Sequence, residues 1–131
     1  MDSEQSRISK AREAFEKAST EMDHIKHLIG PRDSTTHNIT MSAWKIQSHL
    51  EYAIALLKLH LKSEEPISRI KKDVIPTEIV PMETILETSN YLESTLKKIK
   101  NRDYSICIAE AREARNTLRK MIRYYRKNRC L

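Results

Sequence analysis

Apolar residues recur along this chain in steps of three and four, the pattern of helices that bury one face. Ile8, Ala11, Phe15, Ala18, Met22, Ile25 and Ile29 step 3, 4, 3, 4, 3, 4 and predict a first helix over 4–29, three heptads of seam. Gly30 and Pro31 follow at once. Glycine suits the left-handed position past a helix end and proline cannot continue the hydrogen-bond ladder, so the helix stops there. A polar loop is expected over 32–38, with Thr40 as the N-cap of a second helix over 41–62. Ala43, Ile46, Leu50, Ala53, Leu57 and Leu61 form its seam, and Ile54, Leu56 and Leu59 widen it, which predicts burial against more than one neighbour.

The next stretch, 63–81, places Pro66, Pro76 and Pro81 among Ile67, Ile70, Val74, Ile75, Ile79 and Val80. That is too apolar for a free linker. A packed crossover with a helical turn near 67–72 is expected, a short strand being the alternative. Pro81 can open a third helix over 82–100, whose inner face reads Met82, Ile85, Ser89, Leu92, Leu96 and Ile99. A short turn at 100–104 follows, and Asp103 is placed to cap a fourth helix over 104–127. So short a link forces an antiparallel pair. Cys107, Ala111, Ala114, Leu118, Met121 and Tyr125 make the fourth seam, whose two alanines let a partner helix approach closely. The expectation is a single all-α domain over 1–131: a four-helix bundle of two antiparallel helical hairpins joined by a long crossover, as in ferritin-like topologies.

Composition narrows the function classes. The 131 residues are 39% hydrophobic and 32% charged, which suits amphipathic helices with wide solvated faces. With a single glycine, the chain lacks the material of tight hairpins and glycine-rich phosphate loops. Cys107 and Cys130 are too few for a disulfide framework and read as free thiols. No apolar run approaches the roughly 20 residues of a membrane span, and the first ten residues are polar. A cytoplasmic location is expected by default. The net charge of +6 permits acidic partners without specifying one.

The strongest candidate for chemistry lies on the last helix. Arg112, Arg115, Arg119, Arg123 and Arg126 recur at 3, 4, 4 and 3, so five guanidinium groups share one narrow face beside the seam. Like charges at i,i+4 repel by a few tenths of a kcal/mol per pair, and something should offset the row. One partner is internal: Glu13, Glu16, Glu83, Glu87 and Glu93 lie on other helices. The other is an external anion such as phosphate, which fits the arginine fork. Nucleic-acid recognition would usually add stacking aromatics, and Tyr124 is the only aromatic beside the row expected to face outward.

Other constellations are thinner. Glu21 and His24 have the Glu-x-x-His spacing of di-iron bundles in one copy only, and a single ion on Asp23, His24 and His27 competes with ordinary solvated histidines. No metal is expected. Neither cysteine has an identifiable base, so no nucleophilic triad can be assembled. Arg32 and His37 fit the Arg-x4-6-His spacing of the HEPN ribonucleases, although an ordinary loop is the simpler reading of so short a pattern.

Ala114, Arg115, Asn116, Thr117, Leu118, Arg119, Lys120, Met121, Ile122 and Arg123 resemble the Ala-Arg-x-x-x-Arg-Arg-Ala-Glu-Arg stretch of a late helix in the PduO-type cobalamin adenosyltransferases. Those proteins are trimeric, ferritin-like bundles. The resemblance covers about ten residues, with Ile122 in place of the acidic residue. It implies that Arg115, Arg119 and Arg123 would face a triphosphate. Two readings remain. The first is a non-enzymatic binding or assembly module, homo-oligomeric or with an acidic protein partner at the arginine face. The alternative is an adenosyltransferase-like or nuclease-type enzyme taking a nucleotide or nucleic acid there. The residues specify no cofactor and lean away from an enzyme.

Overall fold

The computed structural model describes residues 3–29, 36–61 and 81–127. They form α1 (Ser3–Ile29), α2 (Thr36–Leu61), α3 (Pro81–Lys100) and α4 (Tyr104–Lys127), with no strand among them. None of these helices is long and apolar enough to cross a membrane. The α1 seam is as its spacing predicts: Ala11, Phe15, Ala18, Met22 and Ile25 are buried, joined by Ala14, with Ile8 and Ile29 at the core's edge. In α4, Cys107, Ala111, Ala114, Leu118 and Met121 are buried with Ile108 and Ile122, and Tyr125 packs partly buried against them.

Two helices depart from expectation. The second begins at Thr36, so Thr40 lies inside the helix and is not its N-cap. Ile39 gives the reason: four residues before Ala43, it extends the buried row and is only 6% exposed. An added turn therefore carries one more apolar side chain into the core. Leu61, expected in the seam of α2, and Leu59, expected to widen it, are both exposed. On α3 the buried row is Ile85, Thr88, Leu92, Thr95 and Ile99, while Met82, Ser89 and Leu96 lie at its margin. Two threonines can stand in the core because each hydroxyl donates to the carbonyl four residues back, Thr88 Oγ1 to Thr84 O and Thr95 Oγ1 to Tyr91 O, both at 2.8 Å.

The short link between α3 and α4 is resolved bond by bond. Arg102 N–H donates to Ile99 O at 3.2 Å and Asp103 N–H to Lys98 O at 2.9 Å, the paired bonds of a Schellman end. Arg102 holds the left-handed position at φ 64°, where glycine is usual. Cys107 N–H then donates to Asp103 O at 2.9 Å, so Asp103 occupies the position from which α4 starts.

Helix neighbours give the topology. α1 packs on α2 and α3, and α4 packs on α2 and α3, leaving α1/α4 and α2/α3 as the diagonals. The His60 ring, at the end of α2, meets Tyr104, at the start of α4, edge to face at 5.1 Å. Lys26 Nζ, in the last turn of α1, donates to Ser89 Oγ of α3 at 3.2 Å. Hence α2 and α3 run the same way at opposite corners, and every packed pair is antiparallel. Two antiparallel hairpins are joined between opposite ends of the bundle, the ferritin-like order of directions. The expected helical turn near 67–72 and its strand alternative lie outside the described residues, as do Gly30, Pro31 and Cys130.

Cys107 sits at the α3–α4 contact, fully buried, its Sγ 3.5 Å from Thr95 O. Burial pushes its thiol up to about 12 from an ordinary 9.0. Above pH 9 the unfolded chain releases this proton while the folded chain keeps it, so stability falls as pH rises from about 9 towards 12. Denaturation followed over that window should show a smaller alkaline loss for Cys107→Ala than for the parent. Equal slopes would mean that the thiol is not desolvated.

Candidate functional site

The arginine row lies on one face of α4, with Arg112, Arg115, Arg119 and Arg123 half-buried and Arg126 exposed. Burial comes from α2. Lys58, near the end of α2, is held below its ordinary pKa, first by burial and then by the charges of Arg112 and Arg115. Arg115 is likewise lowered, by burial first, then by Arg119 and Arg112, with Glu51 of α2 acting in the opposite sense. Four cations from two helices therefore lie close together along the furrow where α2 packs on α4, with a single carboxylate in the field of Arg115.

Glu51 does not close the account. Its Oε1 accepts from Gln47 Nε2 at 3.2 Å, and among the described residues Arg112, Arg115 and Arg119 have no carboxylate within ion-pair distance. Arg115 Nε is buried with no hydrogen-bond partner. A buried donor without a partner forfeits its hydration with nothing in return.

The glutamates expected to pair internally are engaged elsewhere or turned outward. Glu16 meets Arg12 at 3.4 Å and Glu13 meets Lys17 at 3.5 Å, both within α1, and Glu83 and Glu93 are exposed. Glu87 belongs to the opposite flank of α4. There Tyr91 of α3 has its phenol raised above the ordinary value, by burial first and then by Glu113, Glu87 and Glu110. One flank of α4 is thus cationic and the other anionic, and the helix between them keeps the two sets apart.

The remaining sequence candidates are not brought together. Asp23 lies 4.0 Å from Lys26, while His24 and His27 are exposed. Glu21 Oε1 accepts from Ser42 Oγ at 2.7 Å. Among the described residues no three His, Cys, Asp or Glu side chains are grouped to hold a metal ion. His37 stands exposed in the first turn of α2, not in a loop, and Arg32 lies outside the described residues. Tyr124 is half-buried and stacks edge to face on Tyr125 at 5.7 Å, so it is no freely presented aromatic. An open groove of about 420 Å³ on the outer side of α1 and α2, lined by Lys10, Glu13, Ala14, Lys17, His49 and Tyr52, mixes both charge signs.

Lys58 and Glu51 escaped the sequence reading because their relevance depends on which helix neighbours α4. Their spacing of seven residues along α2 was the available signal. No family model matches this chain, and no curated protein or solved structure matches it either.

Proposed function

We propose that this chain is a non-enzymatic, cytoplasmic binding module whose α2–α4 groove receives the carboxylates of an acidic protein partner. The observation that carries this reading is the concentration of Lys58, Arg112, Arg115 and Arg119 in a half-buried groove where the arginines have no ion pair among the described residues. An incoming carboxylate relieves the repulsion among these cations and can take the orphaned Arg115 Nε–H as a hydrogen bond. Among the described residues the site gathers several cations around one carboxylate, Glu51, an arrangement suited to holding an anion. Its half-buried setting also screens the cations less than a fully solvated row would be.

The adenosyltransferase-like and nuclease-type alternatives use the same arginines, so the test compares probes. A ten-residue oligoglutamate titrated at low ionic strength should raise the melting temperature saturably, and the rise should shrink as salt is added. ATP, cobalamin and single-stranded RNA should give no saturable rise beyond that of inorganic phosphate at matched charge. A saturable rise with one of these three and none with oligoglutamate transfers the site to the enzyme reading. No rise with any probe removes the groove as a binding site.

A further inference from the structure

Besides its buried row, α2 carries a second apolar row on the side facing away from the core. Met41, Trp44, Ser48, Tyr52, Ala55 and Leu59 step 3, 4, 4, 3, 4 and are all exposed. At 100° per residue they fall within about 80° of one another, centred opposite Ile46, Leu50 and Leu57. The four large side chains remain 43–57% accessible, and no charged residue interrupts the row. The other exposed large apolar side chains are Leu61 of α2, off this row by its helical angle, Leu86 of α3 and Ile106 of α4. A continuous exposed apolar row marks an interaction surface, whereas scattered single residues do not.

We infer that this face of α2 is the interface between two copies of the chain, paired antiparallel about a twofold axis that passes between the two exposed rows at the level of residue 50. The order of side-chain sizes selects the occupant. Antiparallel pairing in that register sets Met41 against Leu59, the bulky Trp44 against Ala55, and the bulky Tyr52 against Ser48. Large meets small at both central pairs and the two ends match in size, which is the self-complementarity an isologous interface requires. Residues 62–80 or an unrelated partner would gain nothing from that symmetry.

The dimensions fit a weak, concentration-dependent pair. A helix face roughly 27 Å long and about 10 Å wide, counted on both copies, covers roughly 540 Å², below the roughly 1,000 Å² of stable interfaces. Glu51, the acidic residue beside the row, accepts from Gln47 and sits in the field of Arg115, so its charge is directed towards α4 instead of across the seam. A twofold perpendicular to the paired helices keeps each flank on its own side. Both α2–α4 grooves therefore open on the same face of the dimer.

Trp44 is the only tryptophan, so its emission reports this seam alone. Light-scattering mass of the full chain should rise from one copy to two between low and high micromolar concentration, with Trp44 emission shifting to the blue in step. Trp44→Glu and, separately, Tyr52→Lys should each weaken dimerisation at least tenfold while far-ultraviolet circular dichroism is unchanged. Ala55→Trp should also prevent pairing, and the size swap Trp44→Ala with Ala55→Trp should restore it, since each copy then again offers a large side chain to a small one. The dimer is read by mass and by emission without any acidic probe, so its failure is separate from failure of the groove. A one-copy mass at every concentration overturns the inference, with Trp44 quenched freely if the face is bare and shielded if another part of the same chain covers it. So does a dimer indifferent to Trp44→Glu, or a size swap that restores nothing.

Discussion

Replacing Phe15 with alanine is expected to destabilise the bundle by about 3–5 kcal/mol, out of a total of roughly 5–15 kcal/mol for a domain of this size. Phe15 is the only phenylalanine and is fully buried. The buried residues one turn away on α1 are Ala11 and Ala18, and with the adjacent Ala14 they have no side-chain length with which to close a void. The facing helices contribute aliphatic side chains that are themselves fully buried, Leu50 and Ile46 on α2 and Leu92 on α3 among the largest. A cavity at this place should therefore persist, and the lost dispersion contacts add to the lost transfer energy. Urea denaturation should show a lower midpoint with an unchanged slope. Leu59→Ala, at a site 57% exposed, serves as the contrast and should change the free energy by under about 0.5 kcal/mol in dilute solution. A loss below about 1 kcal/mol for Phe15→Ala would mean that α1 is not packed through this seam.

The same contrast between buried and exposed apolar residues shows what the sequence could and could not convey. On α1 and α4 the apolar row has a single width and meets its neighbours along one side, so period alone located the core. On α2 apolar residues occur on both sides, and a count of them reads as one broad stripe. Only the angle separates the two: Leu57 belongs to the row of Leu50, whereas Leu59 points the opposite way. Ile39 was within reach of the same arithmetic, but the polar residues around it resembled a loop. On α3 the row was displaced by one position at two places, because threonine counts as polar until its hydroxyl is bonded to the carbonyl of the preceding turn.

The candidate site divides along a similar line. Spacing put the five arginines on one face, and nothing further was needed for that. What sequence could not supply was the neighbour. With α2 beside the cationic flank and α3 beside the other, Lys58 joins the arginines, and Glu87 goes to Tyr91, Glu110 and Glu113. Among the described residues, Glu13, Glu16, Glu83, Glu87 and Glu93 do not pair with Arg112, Arg115 or Arg119: they lie on the other side of α4, face outward or are used within α1.

Charge reversal of Arg115 and Arg119 together should then abolish oligoglutamate binding, a loss of well over tenfold, and leave the bundle folded. Neither arginine has an ion pair to lose among the described residues, and Arg115 carries an unsatisfied buried Nε. Removing the two cations ends their mutual repulsion and that with Arg112, each pair worth a few tenths of a kcal/mol on a helix surface and less in salt. New carboxylates at these positions would face Lys58 and Arg112 across the groove and would meet Glu51 as a like charge. These terms oppose one another, so the melting temperature should move by only a few degrees. Lys58 supplies an independent readout: with Arg115 reversed, one of the charges depressing its pKa becomes a charge that raises it, and its titration should shift towards higher pH. Its burial, the larger cause of depression, is untouched, so the recovery should be partial. Arg115→Gln with Arg119→Gln, which removes the cations without adding carboxylates, should also lose binding but shift Lys58 less. Unfolding of both double variants would show that the arginines hold the bundle together, and retained oligoglutamate binding would place the anion site elsewhere.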